Sequence, residues 1–271
     1  MALSESTNDE LLVETKGNIA LLTLNRPERL NAISSQMLQE LSKKMIEADE
    51  DPDIRCVILT GSGRGFCAGL DLVEVGQGGI GSGAGGSNRP KQLFSIRNAP
   101  ITVMWNMDTP VVCALNGAAA GYGMDIALLC DIRISAESGK MAAVTAKRNV
   151  VPESGGTWLL PRLIGWAKAS ELYYRGRVVG AAECLEIGLV NTVVPDDKLM
   201  ETAWEWATDI AENAPLAVQT TKRMMRMGLE QSYDTSVDQL MVHLNGMFKS
   251  DDFQEGVSAF LERRKPKFTG R

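Results

Sequence analysis

Two acidic residues lie where a carboxylate could move protons. Glu153 is part of NVVPESGG (149–156), between a proline and a serine that is followed by two glycines. Asp125 is part of the small-residue stretch LNGAAAGYGMDIALLCD (115–131). A carboxylate within reach of a reacting carbon can act as a general acid or base. Each residue also has a simpler interpretation, as a first-turn charge that interacts with a helix dipole and is worth about 0.3–1 kcal/mol.

Small residues form two turns of one type. GRGFCAGLDL (63–72) follows an apolar run at 57–60, and the stretch at 115–131 follows another at 111–115. Small residues let a ligand approach the backbone, and a helix N-terminus leaves N–H groups unbonded. Two such turns side by side could direct two N–H donors at one oxygen atom, as in an oxyanion hole. Either turn alone is better explained as a tight turn with close helix packing.

The sequence has few residues that suit other kinds of catalytic or cofactor site. The single histidine, His243, lies in an amphipathic helical pattern, which favours a packing role. The cysteines are odd in number and show no CxxC spacing, so we expect neither a disulfide framework nor a metal site; they are Cys56, Cys67, Cys113, Cys130 and Cys184. A reactive Cys67 is a minor alternative. The GxGxxG that begins at Gly76 opens no clear helix and has no acid about 20 residues on, so it does not predict a dinucleotide site.

Composition limits the class of partner. The chain has 271 residues, 44% hydrophobic and 23% charged, with a net charge of −6. A protein that binds nucleic acid needs a basic face, so we expect no nucleic-acid partner. The most apolar stretch, 111–130, contains Asn116, Asp125 and three glycines, so we expect a buried core segment and no membrane partner. The N-terminus shows no secretory signal pattern, and we expect a cytoplasmic protein.

The order of elements predicts α/β architecture. Strand patterns and helix patterns alternate up to Pro195, and helical patterns alone follow it. We therefore expect an α/β core at 1–195 and a smaller helical, oligomerisation region at 196–271. Predicted strands lie at 18–25, 55–61, 110–117, 132–136 and 189–195; predicted helices lie at 34–50, 124–131, 157–165, 167–176, 199–214, 216–230, 236–248 and 252–263. The glycine-rich stretch 76–88 predicts a mobile loop.

The motifs, taken together and in order, resemble the crotonase superfamily, which includes enoyl-CoA hydratases and isomerases. The resemblance is carried by NRPERLNA (25–32), FCAGLDL (66–72), NGAAAGYGMDIALLCDIRI (116–134), PESGGTWLLPRLIG (152–165) and AAECLEIGLVNTVVP (181–195). It covers nearly the whole chain. It implies a spiral of ββα units with a C-terminal α-helical region, assembled as a homotrimer or a dimer of trimers. It also implies an acyl-CoA substrate, and no cofactor besides the coenzyme A that is part of that substrate.

The resemblance also assigns residues. The backbone N–H groups of Leu70 and Tyr122 would hold the thioester oxygen. The second of these positions is more often glycine in the superfamily, so Tyr122 is a departure whose side chain must be accommodated. The coenzyme A would lie along two segments that contribute Arg26, Leu30, Ala32, Ala68, Asp71 and Leu72.

The carboxylates decide which reaction the resemblance implies. Hydratases of this type use two glutamates, and their motif positions here hold Asp125 and Thr145. Threonine cannot act as a base, so a two-glutamate hydratase is not expected. Glu153 stands where relatives that shift a double bond often carry their acid, which predicts Δ3–Δ2 isomerisation of an enoyl-CoA. The alternatives are hydration by Asp125 and Glu153, C–C or thioester hydrolysis on the same frame, and non-catalytic acyl-CoA binding.

Overall fold

The computed structural model describes residues 2–76, 99–152 and 154–271. Most of the predicted loop at 76–88 lies outside the described residues, and so does Glu153. The strands are β1 (Leu11–Lys16), β2 (Ile19–Leu24), β3 (Cys56–Gly61), β4 (Gly65–Cys67), β5 (Val111–Leu115), β6 (Ala118–Ala120), β7 (Ile132–Ala136), β8 (Lys140–Ala142), β9 (Val178–Gly180) and β10 (Thr192–Val194).

The described strands form two sheets. Six form the first, in the order β1-β2-β3-β5-β7-β10, with only β1 antiparallel to its neighbour. The second has the order β4-β6-β8-β9, with β9 antiparallel to β8. Strands β3, β5 and β7 of the first sheet are each followed by one short strand of the second sheet and then by a helix. This repeat is the expected spiral of ββα units.

The helices are α1 (Ser35–Glu50), α2 (Leu72–Gly76), α3 (Pro100–Asn106), α4 (Tyr122–Leu129), α5 (Gly156–Arg175), α6 (Ala181–Glu186), α7 (Leu199–Ala211), α8 (Pro215–Gly228), α9 (Tyr233–Met247) and α10 (Asp251–Glu262). Ser34 is the N-cap of α1, because its Oγ accepts a hydrogen bond from Met37 N at 2.9 Å. The two helical patterns at 157–176 form one helix that breaks at Gly165, where φ is 78°. None of the helices in the described ranges is long and apolar enough to cross a bilayer.

The helical region after residue 195 begins with a helix that belongs to the core. Leu199, Ala203 and Ala207 of α7 are buried in one apolar cluster with Ile58 and Val112 of the first sheet. Helix α7 therefore covers one face of that sheet, while the larger apolar cluster fills the space on its other side, towards α1 and α4. The boundary between an α/β core at 1–195 and a helical oligomerisation region at 196–271 stays a prediction.

The second sheet brings the start of α4 against the end of β4. A Cβ atom on Gly123 would lie 2.3 Å from the backbone oxygen of Cys67 and 2.6 Å from its Cβ. Distances below about 3 Å are not tolerated by packed atoms, so this approach requires glycine. The contact joins two ββα units at their turns.

We expect Gly123→Ala to lower the free energy of unfolding by about 1–3 kcal/mol, because the added methyl group must displace backbone atoms of β4. Gly246→Ala is the matched control, since a Cβ there in α9 has no heavy atom within 4 Å. The control should be neutral or slightly stabilising, because alanine favours a helix interior. Urea denaturation of both variants makes the comparison. Equal stabilities would show that the two turns are not in close contact.

Candidate active site

The turn that carries Leu70 is fixed on one side by the residue after the NRPERLNA segment. Ile33 N donates to Gly69 O at 2.8 Å, and Asp71 N donates to Ile33 O at 2.9 Å. The Gly69 carbonyl and the Leu70 N–H belong to one planar trans peptide, so they point in opposite directions. The Leu70 N–H is therefore directed away from Ile33.

The turn that carries Tyr122 lies beside it. Tyr122 is the first residue of α4 and follows Gly121, whose φ is 51°. A Cβ atom on Gly69 would be 3.6 Å from Tyr122 N and 2.9 Å from Ala120 O. The structure thus brings together the two turns that carry the predicted N–H donors. The Tyr122 side chain is 7% exposed and packs in the larger apolar cluster, which accommodates the departure from glycine.

Asp125 lies in the first turn of α4 and is only 2% exposed. A Cβ atom on Gly156, the first residue of α5, would lie 2.2 Å from Asp125 Oδ1 and 2.4 Å from the hydroxyl oxygen of Tyr173. The carboxylate of Asp125 and the phenol of Tyr173 therefore lie close together beside the start of α5. Asp125 is a buried group of the site, and its surroundings differ from those of a solvated charge at a helix end.

Tyr173 is a residue that the sequence did not indicate, because it reads as one more position of a helical pattern. Burial raises the pKa of Tyr173, and the nearby Asp125 charge raises it further. The phenol therefore stays protonated and can donate a hydrogen bond. Its hydroxyl and the buried Ser154 hydroxyl have no hydrogen-bond partner within the described part of the chain. Both could serve a bound ligand or an ordered water.

The second position of the hydratase pair carries no acid. Thr145 begins a short 3-10 helix that ends at Arg148. Its methyl carbon is 4.0 Å from the position of a Cβ on Gly121, so Thr145 lies next to the turn that precedes Tyr122. Of the two hydratase positions, only the one at Asp125 therefore carries a carboxylate. The role predicted for Glu153 lies outside the described residues and stays a prediction.

The residues predicted to contact coenzyme A divide into two groups. Leu30, Ala68 and Leu72 are exposed, with Leu72 60% exposed, so they can meet a ligand. Arg26 and Asp71 bind each other, at 3.1 Å between Arg26 Nη2 and Asp71 Oδ2. Ala32 is half-buried, and its carbonyl oxygen accepts a hydrogen bond from Arg26 Nη1. The coenzyme A contacts of all six residues stay predictions.

Asn31 anchors the NRPERLNA turn and was not among the predicted site residues. It is fully buried, accepts a hydrogen bond from Arg26 N at 2.8 Å, and donates to the Ser62 and Gly65 carbonyls at 2.9 and 2.7 Å. Its backbone has a φ of 55°, which asparagine tolerates better than most residues. The side chain holds the turn against the loop between β3 and β4.

An apolar cavity of about 290 Å³ opens one helical turn beyond Asp125, at Leu129. Its walls include Ile101, Trp105, Trp158 and the hydroxyl-bearing Ser154. The two tryptophan rings meet edge to face, with centroids 4.9 Å apart. Thr102 and Glu230 are the other polar residues of the lining. A mostly apolar wall with a few polar groups is typical of a pocket for a small-molecule ligand.

A metal centre and a cysteine nucleophile find no support. The described residues contain no group of three His, Cys, Asp or Glu that could hold a metal ion. Burial raises the pKa of the Cys67 thiol to about 12. A thiol that stays protonated is a poor nucleophile, so the reactive Cys67 considered as an alternative is not supported.

The comparison with known proteins identifies the family. A family model described as enoyl-CoA hydratase/isomerase matches residues 14–271. The chain belongs to the enoyl-CoA hydratase/isomerase family. It is 36% identical to the 1,2-epoxyphenylacetyl-CoA isomerase of Escherichia coli, over 96% of this chain and 98% of the relative. It is 37% identical to the enoyl-CoA hydratase EchA19 of Mycobacterium tuberculosis, over the full length of both.

Solved structures agree with this family. The crystal structure of an enoyl-CoA hydratase from Bacillus anthracis matches with a TM-score of 0.87 at 34% identity, over 97% of this chain and all of that one. The expected crotonase fold is confirmed, and the chain is an enzyme of the enoyl-CoA hydratase/isomerase type. Some relatives are named hydratases and others isomerases. Membership of the family therefore does not decide which of these reactions the chain catalyses.

We expect the native enzyme to resist alkylation of its cysteines by iodoacetamide at neutral pH. All five cysteines are buried, and burial raises the pKa of Cys56 to about 12 and that of Cys184 to about 11. Mass spectrometry after a short exposure should show no adduct, whereas protein unfolded in urea should gain five. Rapid native modification of Cys67 would restore it as a candidate nucleophile.

Proposed function

We propose that this enzyme moves the double bond of an enoyl-CoA thioester from C3 to C2. The observation that carries the proposal is that Thr145, at the position of the second hydratase glutamate, lies beside Gly121 and carries no acid, so a pair of carboxylates that activates water lacks one member. A double-bond shift needs only proton transfer, and water is a competitor that the site must exclude.

The first step is the loss of a C2 proton. The N–H groups of Leu70 and Tyr122 donate to the thioester oxygen, which becomes an enolate oxygen as the proton leaves. Two backbone donors fixed before the reaction stabilise that charge without reorganisation. Helix α4 adds its N-terminal dipole at the same point, because Tyr122 is its first residue.

The second step returns the proton at C4. Glu153 takes the C2 proton as a base, and the resulting dienolate places electron density on C4. Protonated Glu153 then delivers the proton to C4, so the double bond ends between C2 and C3 and no atom is gained or lost.

The acyl group occupies the cavity that Trp105 and Trp158 help to line, and the coenzyme A is part of the substrate. The cavity is lined mostly by apolar side chains, which suits an acyl chain and helps exclude water. The assembly is a homotrimer or a dimer of trimers. Large apolar side chains exposed on α8, α9 and α10 support this, among them Met225, Val242 and Phe260 at 70%, 67% and 83%.

Hydration is the second candidate, and the buried position of Asp125 favours it. Asp125 together with Glu153 would hold one water and add it across the double bond. A panel of 2-enoyl-CoA and 3-enoyl-CoA thioesters decides between the two, with the products identified by chromatography and mass spectrometry. Isomerisation converts 3-enoyl thioesters into 2-enoyl thioesters of the same mass. A product heavier by one water, formed from 2-enoyl thioesters, would contradict the isomerase proposal.

We expect Glu153→Gln to lower kcat by at least about 100-fold, since a general base is worth that much and the amide cannot accept the proton. Asp125→Asn should cost much less, because a single carboxylate carries the proton in both directions. Glu137→Gln, at an exposed carboxylate in the turn after β7, is the control and should leave kcat unchanged. Equal and severe losses for Glu153→Gln and Asp125→Asn would point to hydration. Full activity of Glu153→Gln would remove Glu153 from the mechanism.

A further inference from the structure

We infer that Arg26 and Asp71 are positioning residues that orient the Leu70 N–H donor, and that they do not bind coenzyme A. The ion pair between them joins the NRPERLNA turn to the residue next to Leu70. The inference rests on the proposed oxyanion role of Leu70. It replaces the expectation, carried by the family resemblance, that these two side chains face the ligand.

The guanidinium group of Arg26 is occupied within the protein. Nε contacts Glu10 Oε1 at 3.1 Å, Nη2 contacts Asp71 Oδ2 at 3.1 Å, and Nη1 donates to Ala32 O at 2.7 Å. The side chain of Arg26 is 14% exposed and that of Asp71 is 9% exposed. Glu10 is itself held by the Ser34 hydroxyl. A guanidinium whose three nitrogens all have internal partners presents little to a phosphate.

The carboxylate of Asp71 is held from its other side as well. Its Oδ1 accepts a hydrogen bond from Val73 N at 3.1 Å, at the start of α2. Burial alone would raise the pKa of Asp71, but the hydrogen bonds from Val73 and Arg26 and the charge of Arg26 more than offset it and lower the pKa. The carboxylate is therefore ionised at neutral pH and ties α2 to the arginine.

These contacts fix the peptide that carries the donor. Ile33 bonds the carbonyl of Gly69 and the N–H of Asp71, so Leu70 is held at both of its peptide bonds. The Arg26–Asp71 pair adds a second anchor that holds the Asp71 side chain. An oxyanion donor must lie about 2.7–3.1 Å from the developing charge. A shift of the turn by a fraction of an ångström would therefore weaken the donor while leaving the coenzyme A contacts in place.

Positioning and ligand binding predict opposite results for two conservative variants. Asp71→Asn keeps the shape of the side chain and removes the charge that Arg26 contacts. Arg26→Lys keeps the charge and loses the planar, multiply bonded group. Glu171→Gln is the matched control, because Glu171 also pairs with arginines, at 3.0 Å from Arg175 and 2.9 Å from Arg177, at the far end of α5.

The measurements are kcat on the thioester that the wild type converts, the Kd of free coenzyme A by calorimetry, and the thermal midpoint. Free coenzyme A has no acyl carbonyl. Its Kd therefore depends on the contacts with the coenzyme A moiety and does not depend on the oxyanion hole. We expect both variants to lower kcat about tenfold, as a partial loss of one oxyanion donor. The Kd of coenzyme A should stay within about twofold, since no ligand contact is lost. Glu171→Gln should match the wild type in all three measurements.

Infrared spectroscopy of a bound 2-enoyl-CoA adds a readout that needs no turnover. Hydrogen bonds to the thioester oxygen lower its C=O stretching frequency, and this shift should be smaller in Asp71→Asn than in the wild type. A shift that is absent from the wild type would mean that the oxyanion proposal itself fails. A wild-type shift that both variants keep, or a weakened Kd for coenzyme A with kcat intact, would overturn the positioning role. If Asp71→Asn does not fold, Arg26→Lys carries the same comparison.

Discussion

The candidate site depends on one backbone contact, the approach of the end of β4 to the start of α4. A Cβ atom at Gly123 would overlap the carbonyl of Cys67, and Gly69 adopts a φ of 100° where it passes Ala120 and Tyr122. Both glycines remove a side chain that would push the turns apart. With the turns in contact, two peptide N–H groups from segments about 50 residues apart in the chain can serve one oxygen atom.

The repeated ββα unit makes that contact possible. Strands β3, β5 and β7 run parallel, so the turns that follow them leave the sheet at the same edge. The short strands β4, β6 and β8 then pair in parallel and hold those turns side by side. The proposed catalytic groups come from successive units. The first unit contributes Leu70, the second contributes Tyr122 and Asp125, and the third begins α5 at Gly156.

Most of the longer elements and the two turns were predictable from sequence, whereas β1, α3 and the contacts between distant segments were not. An apolar stripe indicates helix α1, and an apolar run indicates β3. Strands β4, β6, β8 and β9 have three residues each, which is too short for a period-two pattern to register. Tyr173 lies near Asp125 only because α5 packs on α4, and the local sequence around either residue does not indicate this proximity. The motif that contains Arg26 gives no sign of its ion pair with Asp71, which only the fold reveals.

In the proposed mechanism, Leu70 and Tyr122 together hold the thioester oxygen while Glu153 faces the carbon chain. A crystal structure of the enzyme with a bound, unreactive acyl-CoA analogue is the decisive measurement. We expect the thioester oxygen to lie about 2.7–3.1 Å from both backbone nitrogens, with the Glu153 carboxylate facing C2 to C4. A thioester oxygen bound elsewhere, or held by neither nitrogen, would contradict it.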